Sequence, residues 1–322
     1  MKQMDPHSHV RSLLGGCTLL LATLAVLTLT TFASTARAED SPKKDSVKPL
    51  KVLLVTGGCC HDYSHQKDIL KKGLEARANV VVELMHSDDK TTKCKFEVFT
   101  KADWAKEYDV VIHDECSADA NDFPYVEGIM APHKAGVPGV NLHCAMHCYR
   151  VTPDFAKPSI KAGSREAIWF DYLGLQSSGH GPQEPIALTF LPANHPITKG
   201  MSDWTTIKEE LYNNIQIFET ATPLIRGKQG AGDKEGKNDT VVAWTNLYGE
   251  KKTRVFSTTL GHNNETVGDD RYLNLVTRGT LWACDKLNDT YLKPFDAAKA
   301  KAEGEAKEKN APQPTPASPA TK

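Results

Sequence analysis

The stretch VNLHCAMHCYR, residues 140–150, places two histidines and two cysteines within six positions, directly after an apolar run. Three kinds of chemistry fit those residue types. A thiolate at Cys144 beside a histidine would be a nucleophile. His143 and His147 are four residues apart, so on a helix they share a face and can chelate one ion, as can Cys144 and Cys148. The metal signal is weak by itself, because the zinc-hydrolase helix carries a glutamate between its histidines and this one has Cys-Ala-Met. The third possibility is a crowded strand end with no chemistry.

Polar residues also collect in other loops. Gly57-Gly58-Cys59-Cys60-His61-Asp62 follows one apolar run, His113-Asp114-Glu115 closes another, and Gly261-His262-Asn263-Asn264-Glu265 follows a third. Open parallel sheets bind ligands at the carboxyl ends of their strands. A constellation of His61, His143 and His262, with a carboxylate from KEELYN, would suit zinc or a similar divalent ion that activates a water. Without metal, the same residues permit acid–base work at a sugar hydroxyl or beside a keto group. The adjacent Cys59 and Cys60 can form a vicinal disulfide, pair elsewhere, or simply fill a tight turn.

The elements that must position these groups read as an α/β fold. LKVLLVTGG (50–58) is continuously apolar, as a buried parallel strand is. SHQKDILKKGLEAR (64–77) has helical spacing with Ser64 as N-cap. NVVVELM (79–85), YDVVIHDE (108–115) and VPGVNLH (137–143) are strands, with a helix over 124–136. This order predicts a doubly wound, mostly parallel sheet with helices on both faces. The second half is richer in strands, at 186–191, 214–225, 240–246 and 253–260, before a last helix over 270–287. Residues 160–185 read as a loop and a candidate lid.

The ends are different. A basic start, an apolar run from Leu13 to Ala33 and Ala36-Arg37-Ala38 predict a signal peptide over 1–38 and export, with a membrane anchor if it stays uncleaved. Residues 39–49 read as a linker, 50–287 as one folded domain and 288–322 as a polar, Pro-rich tail. Eight cysteines include Cys17 in the leader, so the mature chain holds an odd number and at least one free thiol. A formal net charge of −1 argues against a nucleic-acid partner. The sequence is silent on oligomeric state.

GGCCHDYSHQ, PGVNLHCAMH, ANHPITKGMSDW with KEELYN, VVAWTNLYGEKKTRVFSTTLGH and RGTLWAC together resemble the trehalose-utilisation, or ThuA-like, domain family across about 51–285. The resemblance implies a flavodoxin-like fold similar to class I glutamine amidotransferases, and a role in carbohydrate metabolism. It also aligns EELY with an acidic-x-Tyr segment, which favours Glu210 over Glu209. Glutaminases of that fold carry a strand-end cysteine flanked by glycines. Cys144 lies between His143 and Ala145, and His262 is three residues from Glu265 rather than two, so amidotransfer is not expected. The expected ligand is a sugar or keto-sugar, acted on by His61, His143, Glu210 and His262, with His180, Trp204 and Tyr212 as substrate contacts. Trp169, Tyr172 and Trp244 are further rings available for stacking. The rival reading is a carbohydrate-binding protein without catalysis.

Overall fold

The computed structural model describes residues 47–156, 160–191, 194–230, 239–296 and 298. The expected leader, and the tail beyond 298, lie outside the described residues. No helix among the described residues is long and apolar enough to cross a membrane.

The elements in chain order are β1 (Leu50–Gly58), α1 (Tyr63–Arg77), β2 (Val80–Ser87), β3 (Val110–Cys116), α2 (Phe123–Lys134), β4 (Gly139–Leu142), α3 (Ile168–Leu173), β5 (Leu175–Phe190), β6 (Trp204–Ile217), β7 (Ala221–Gln229), β8 (Asp239–Tyr248), β9 (Thr253–Thr258), α4 (Asn264–Val267) and α5 (Asp270–Ala283). They build one nine-stranded sheet in the order β2-β1-β3-β4-β9-β8-β7-β5-β6. The alternation of side chains along β1 sorts its residues between two cores. Val52 and Leu54 pack with Leu70 and Leu74 of α1 and Leu273 and Val276 of α5. Leu53 and Val55 pack on the other face with Tyr125 and Ile129 of α2 and Trp169 of α3. Helices on both faces therefore follow from strands that are apolar at every position.

The sheet is mixed, which corrects the expectation of a mostly parallel one. The ladders among β2, β1, β3, β4 and β9 are parallel. Those among β9, β8, β7, β5 and β6 are antiparallel, and they include the longest hairpin. Residues 160–185, expected to be loop, instead form α3 and most of β5. Their Gly, Ser and Pro content hides a strand because β5 is bulged against β6 at several points, and a bulged strand needs no regular alternation. The expected strand over 214–225 is two strands broken at 218–220.

Smaller differences concern ends. Helix α1 starts at Tyr63 with Asp62 at the cap position; Ser64 lies in the first turn and donates to Asp62 Oδ1 at 3.0 Å. Helix α5 stops at Ala283, where Asp285 takes a φ of 58°. Past Leu287 the chain stays on the fold: Leu292 bridges to Ala78, and the Arg77 guanidinium stacks 3.6 Å over the Phe295 ring.

Beneath the sheet lies a buried polar chain. His113 Nδ1 meets Glu115 Oε1 at 2.8 Å, Tyr149 donates to the same oxygen at 2.6 Å, and His113 Nε2 meets His133 Nε2 at 3.2 Å. Burial, reinforced by neighbouring His113, pushes the His133 pKa down to about 3. The unfolded chain takes up a proton near pH 6.5 that folded His133 refuses, so stability is lost as pH falls below that value. Thermal melts should show unfolding linked to uptake of about one extra proton between pH 6 and 4. The variant His133→Gln should lack that component; an unchanged slope would remove His133 as its source.

Candidate functional site

The carboxyl ends of β1, β3, β4 and β9 meet at one edge, and each leads into a polar loop. Gly57 and Gly58 end β1 with φ of 138° and 89°. A Cβ on Gly58 would lie 2.2 Å from the Cys116 carbonyl oxygen, so only glycine lets this loop pass so close to β3. The loop then delivers His61. At the end of β4, His143 itself adopts the left-handed conformation, with φ of 43°. A non-glycine residue held there is strained, and such strain is kept where surroundings over-determine it. The left-handed residue at this turn is the histidine, and Cys144 follows it. The expected helix is only a short 3-10 turn, His143–His147.

These loops, with β6, bring His61, His143, Glu210 and His262 together, one donor atom from each lying within 4.8 Å of all the others. His61 Nε2 is 3.0 Å from His143 Nε2 and 2.9 Å from His262 Nδ1. Glu210 Oε2 is 3.5 Å from His143 Nε2, and its Oε1 is 3.5 Å from His262 Nδ1. His143 Nδ1 lies 2.6 Å from the Thr259 carbonyl, an acceptor only, so it carries the proton and donates. The neutral ring then turns the Nε2 lone pair toward the other three groups. Tyr63 Oη, 3.3 Å from His61 Nδ1, supports the second ring.

Glu209 and Glu210 both serve this cluster from opposite sides of β6. Glu209 accepts from the His262 backbone N–H at 3.0 and 3.2 Å, while Glu210 faces the rings. Gln66 of α1 holds the His262 carbonyl at 3.1 Å. Burial lowers the His61 pKa, which keeps the ring neutral. For Glu210, burial pushes upward, but the neighbouring His143 and His262 rings outweigh it and hold the carboxylate below its usual range. Hydrogen bonding to Glu210 raises His262 despite partial burial.

The cluster opens into a cavity of about 600 Å³ lined also by Cys59, Cys60, Arg150, His180 and Gln183. His180, half exposed, stands with Nε2 3.6 Å from Glu210 Oε2. Tyr212 lies beneath, stacked on His147 with ring centroids 4.3 Å apart. His147 itself bonds Ser177 Oγ at 3.0 Å and stays outside the four-residue cluster. Trp204 is elsewhere, under the Arg271 guanidinium at 4.0 Å. Trp169 and Trp244 are buried and donate to the Ala145 and Leu173 carbonyls. None of these tryptophans lines the cavity.

Sequence reasoning passed over Arg150 and Gln183. Arg150 closes the VNLHCAMHCYR stretch, and its signal was a cation next to two histidines. Gln183 sat in a segment read as loop. A second cavity, of about 630 Å³, lies by Lys134, Arg165 and Lys251 at the opposite edge of the sheet. Its lining has charges of both signs but no histidine or cysteine, so the chemistry belongs to the first.

Cys144 is a poor nucleophile here. Its Sγ donates to Cys116 Sγ at 3.0 Å. That hydrogen bond, with burial, pushes the thiol pKa well above normal. Cys59 and Cys60 form a vicinal disulfide.

The chain belongs to the ThuA family, described as trehalose utilisation, whose model matches residues 51–283. Among solved structures it is similar to a ThuA-like protein of Parabacteroides merdae, at 21% identity and TM-score 0.54, covering 74% of this chain and 90% of that one. A ThuA-like protein of Bacteroides uniformis matches at 17% identity and TM-score 0.50, covering 75% and 95%. A GMP synthase component of Thermoplasma acidophilum is more distant, at 11% identity and TM-score 0.42, covering 74% and 94%. No curated protein matches.

Gly261 offers a check on how tightly His262 is placed. It has a φ of 121°, and a Cβ there would lie 2.8 Å from Tyr272 Oη. Gly261→Ala should cost about 1–3 kcal/mol in urea unfolding. A variant as stable as the wild type would show that the loop tolerates displacement.

Proposed function

We propose that this protein is a carbohydrate-processing enzyme whose His61, His143, His262 and Glu210 hold one divalent cation, zinc by the chemistry of its donors. The observation that carries the reading is the gathering of three ring nitrogens and the Glu210 carboxylate within 4.8 Å of one another. Adjacent atoms lie 2.9–3.5 Å apart, Glu210 reaching His143 through Oε2 and His262 through Oε1. Tetrahedral zinc with ligands at about 2.0–2.1 Å would space them about 3.3 Å apart. The His143 Nδ1–H donated to a carbonyl is the outer contact that metal-binding histidines use to fix their tautomer.

A cation there would polarise a sugar carbonyl or hydroxyl oxygen, or lower the pKa of a water. The chain's own residues divide the remaining work. His180, at the mouth and outside the cluster, is placed to hold or deliver a proton at its Nε2. The Arg150 guanidinium and the Gln183 amide can orient substrate oxygens along the cavity wall. Glu209 fixes the loop that carries His262. The family description supports the sugar substrate class, and disaccharides and keto-sugars are the first to test. The apolar run over 13–33 supports export, so the substrate would be met outside the cytoplasm.

A binding protein without catalysis would gain most from rings stacked on the sugar face. The lining holds imidazoles, a guanidinium and sulfur, and no Trp, Tyr or Phe. This favours reaction over retention.

Turnover of disaccharides and keto-sugars should fall at least a hundredfold in His143→Ala and His262→Ala, with loss of bound metal. His180→Ala should lower kcat by about 10²-fold while metal content stays as in the wild type. Sugar binding of equal affinity in all three variants, with turnover in none and none in the wild type, would replace the enzyme by a binder.

A further inference from the structure

A cluster of sulfur atoms lies beside the histidine cluster and has no part in the proposed sugar chemistry. Sγ atoms of Cys59, Cys60 and Cys116 lie within 4.8 Å of one another. Cys59 Sγ stands 3.4 Å from Cys116 Sγ, and Cys144 donates to Cys116 Sγ from 3.0 Å. All four cysteines line the cavity, so an ion has a path to them. Cys60 is exposed, with a left-handed φ of 84°. The backbone is built for this approach: the Cys59 N–H donates to the Cys116 carbonyl, and Gly58 alone fits against that same oxygen.

We propose that reduction of the Cys59–Cys60 disulfide creates a second metal site, in which Cys59, Cys60 and Cys116 bind one soft, thiophilic cation. A small dithiol is the reductant class. Its two thiols become a disulfide, while Cys59 and Cys60 take up the two electrons and two protons. On binding, each cysteine releases its proton to solvent and gives a sulfur lone pair to the ion.

Thiolate sulfur selects soft cations, whereas imidazole and carboxylate suit borderline and harder ones. The two neighbouring clusters therefore differ in which ion they take. Metal–sulfur bonds of about 2.3 Å in a trigonal set space the sulfurs about 4 Å apart. Cys116 and Cys59 need to part by about half an ångström from their present contact to reach that spacing, and the Cys59 and Cys60 sulfurs, 2.02 Å apart in the disulfide, by about 2 Å once reduction has broken their bond. Cys144 then keeps its hydrogen bond to Cys116 and orients that sulfur.

The test uses the full chain, reduced with a dithiol that is then removed without air, and titrated with Cd(II) while sulfur-to-cadmium charge-transfer absorption is followed. One equivalent should bind with that absorption after reduction, and none before it. Cys116→Ser should weaken binding at least tenfold. Cys60→Ser should do the same, and because Cys60 is exposed its variant keeps the fold. His143→Ala and His262→Ala should leave the sulfur absorption intact, which separates this site from the histidine site whatever becomes of the latter. Absence of the band in the reduced wild type would overturn the proposal. So would equal affinity in the Cys116 variant, or loss of the band in the histidine variants.

Discussion

Three imidazole nitrogens and a carboxylate held within 4.8 Å of one another constrain everything around them. His61 Nε2 faces a nitrogen on each side, and His143 has already committed its proton to the Thr259 carbonyl. A proton on His61 Nε2 can be shared between the two nitrogens that face it. The surroundings hold them there at a cost: a left-handed histidine after β4, and glycines after β1 and β9 that admit no side chain. Glu209 commits its carboxylate to a single backbone N–H. Strain of this kind is kept where function rather than stability sets the geometry.

The mixed sheet explains how Glu210 arrives. Parallel strands alone bring His61, His143 and His262 to their shared carboxyl edge. The acid comes from the middle of β6, a strand at the far end of the sheet order. The bulged β5–β6 hairpin lays β6 back over β8, where the Asn214 side chain donates to the Val241 carbonyl at 2.7 Å. Gln229 pins the hairpin by donating to the carbonyls of Glu184 and Glu209. The antiparallel half is thus the arm that closes the site, and it also supplies His180 and Gln183.

How much of this was legible follows from what burial does to a sequence. Strands β1, β3 and β4 are buried on both faces, so they read as apolar runs with polar residues at their ends. That made the three histidines visible as one edge. Strand β5 was legible only at its end, from 186; its first part was not, because LQSSGHGPQEP has the residues of a loop and its pairing depends on bulges. Strand order was hidden too: alternation says which face a residue takes, but not which strand lies beside it. Glu210 was reached through family resemblance and not through periodicity. Trp204 looked like a sugar platform only because ring chemistry is the same in a site and under an arginine.

X-ray absorption at the zinc edge, on protein purified without an affinity tag and given one equivalent of zinc, reads the ligands of a cation held by His61, His143, His262 and Glu210. The expected first shell is nitrogen and oxygen at about 2.0–2.1 Å, with the outer scattering of imidazole rings. That imidazole scattering should fade in His143→Ala. A first shell dominated by sulfur at about 2.3 Å, or zinc that washes away, would contradict it.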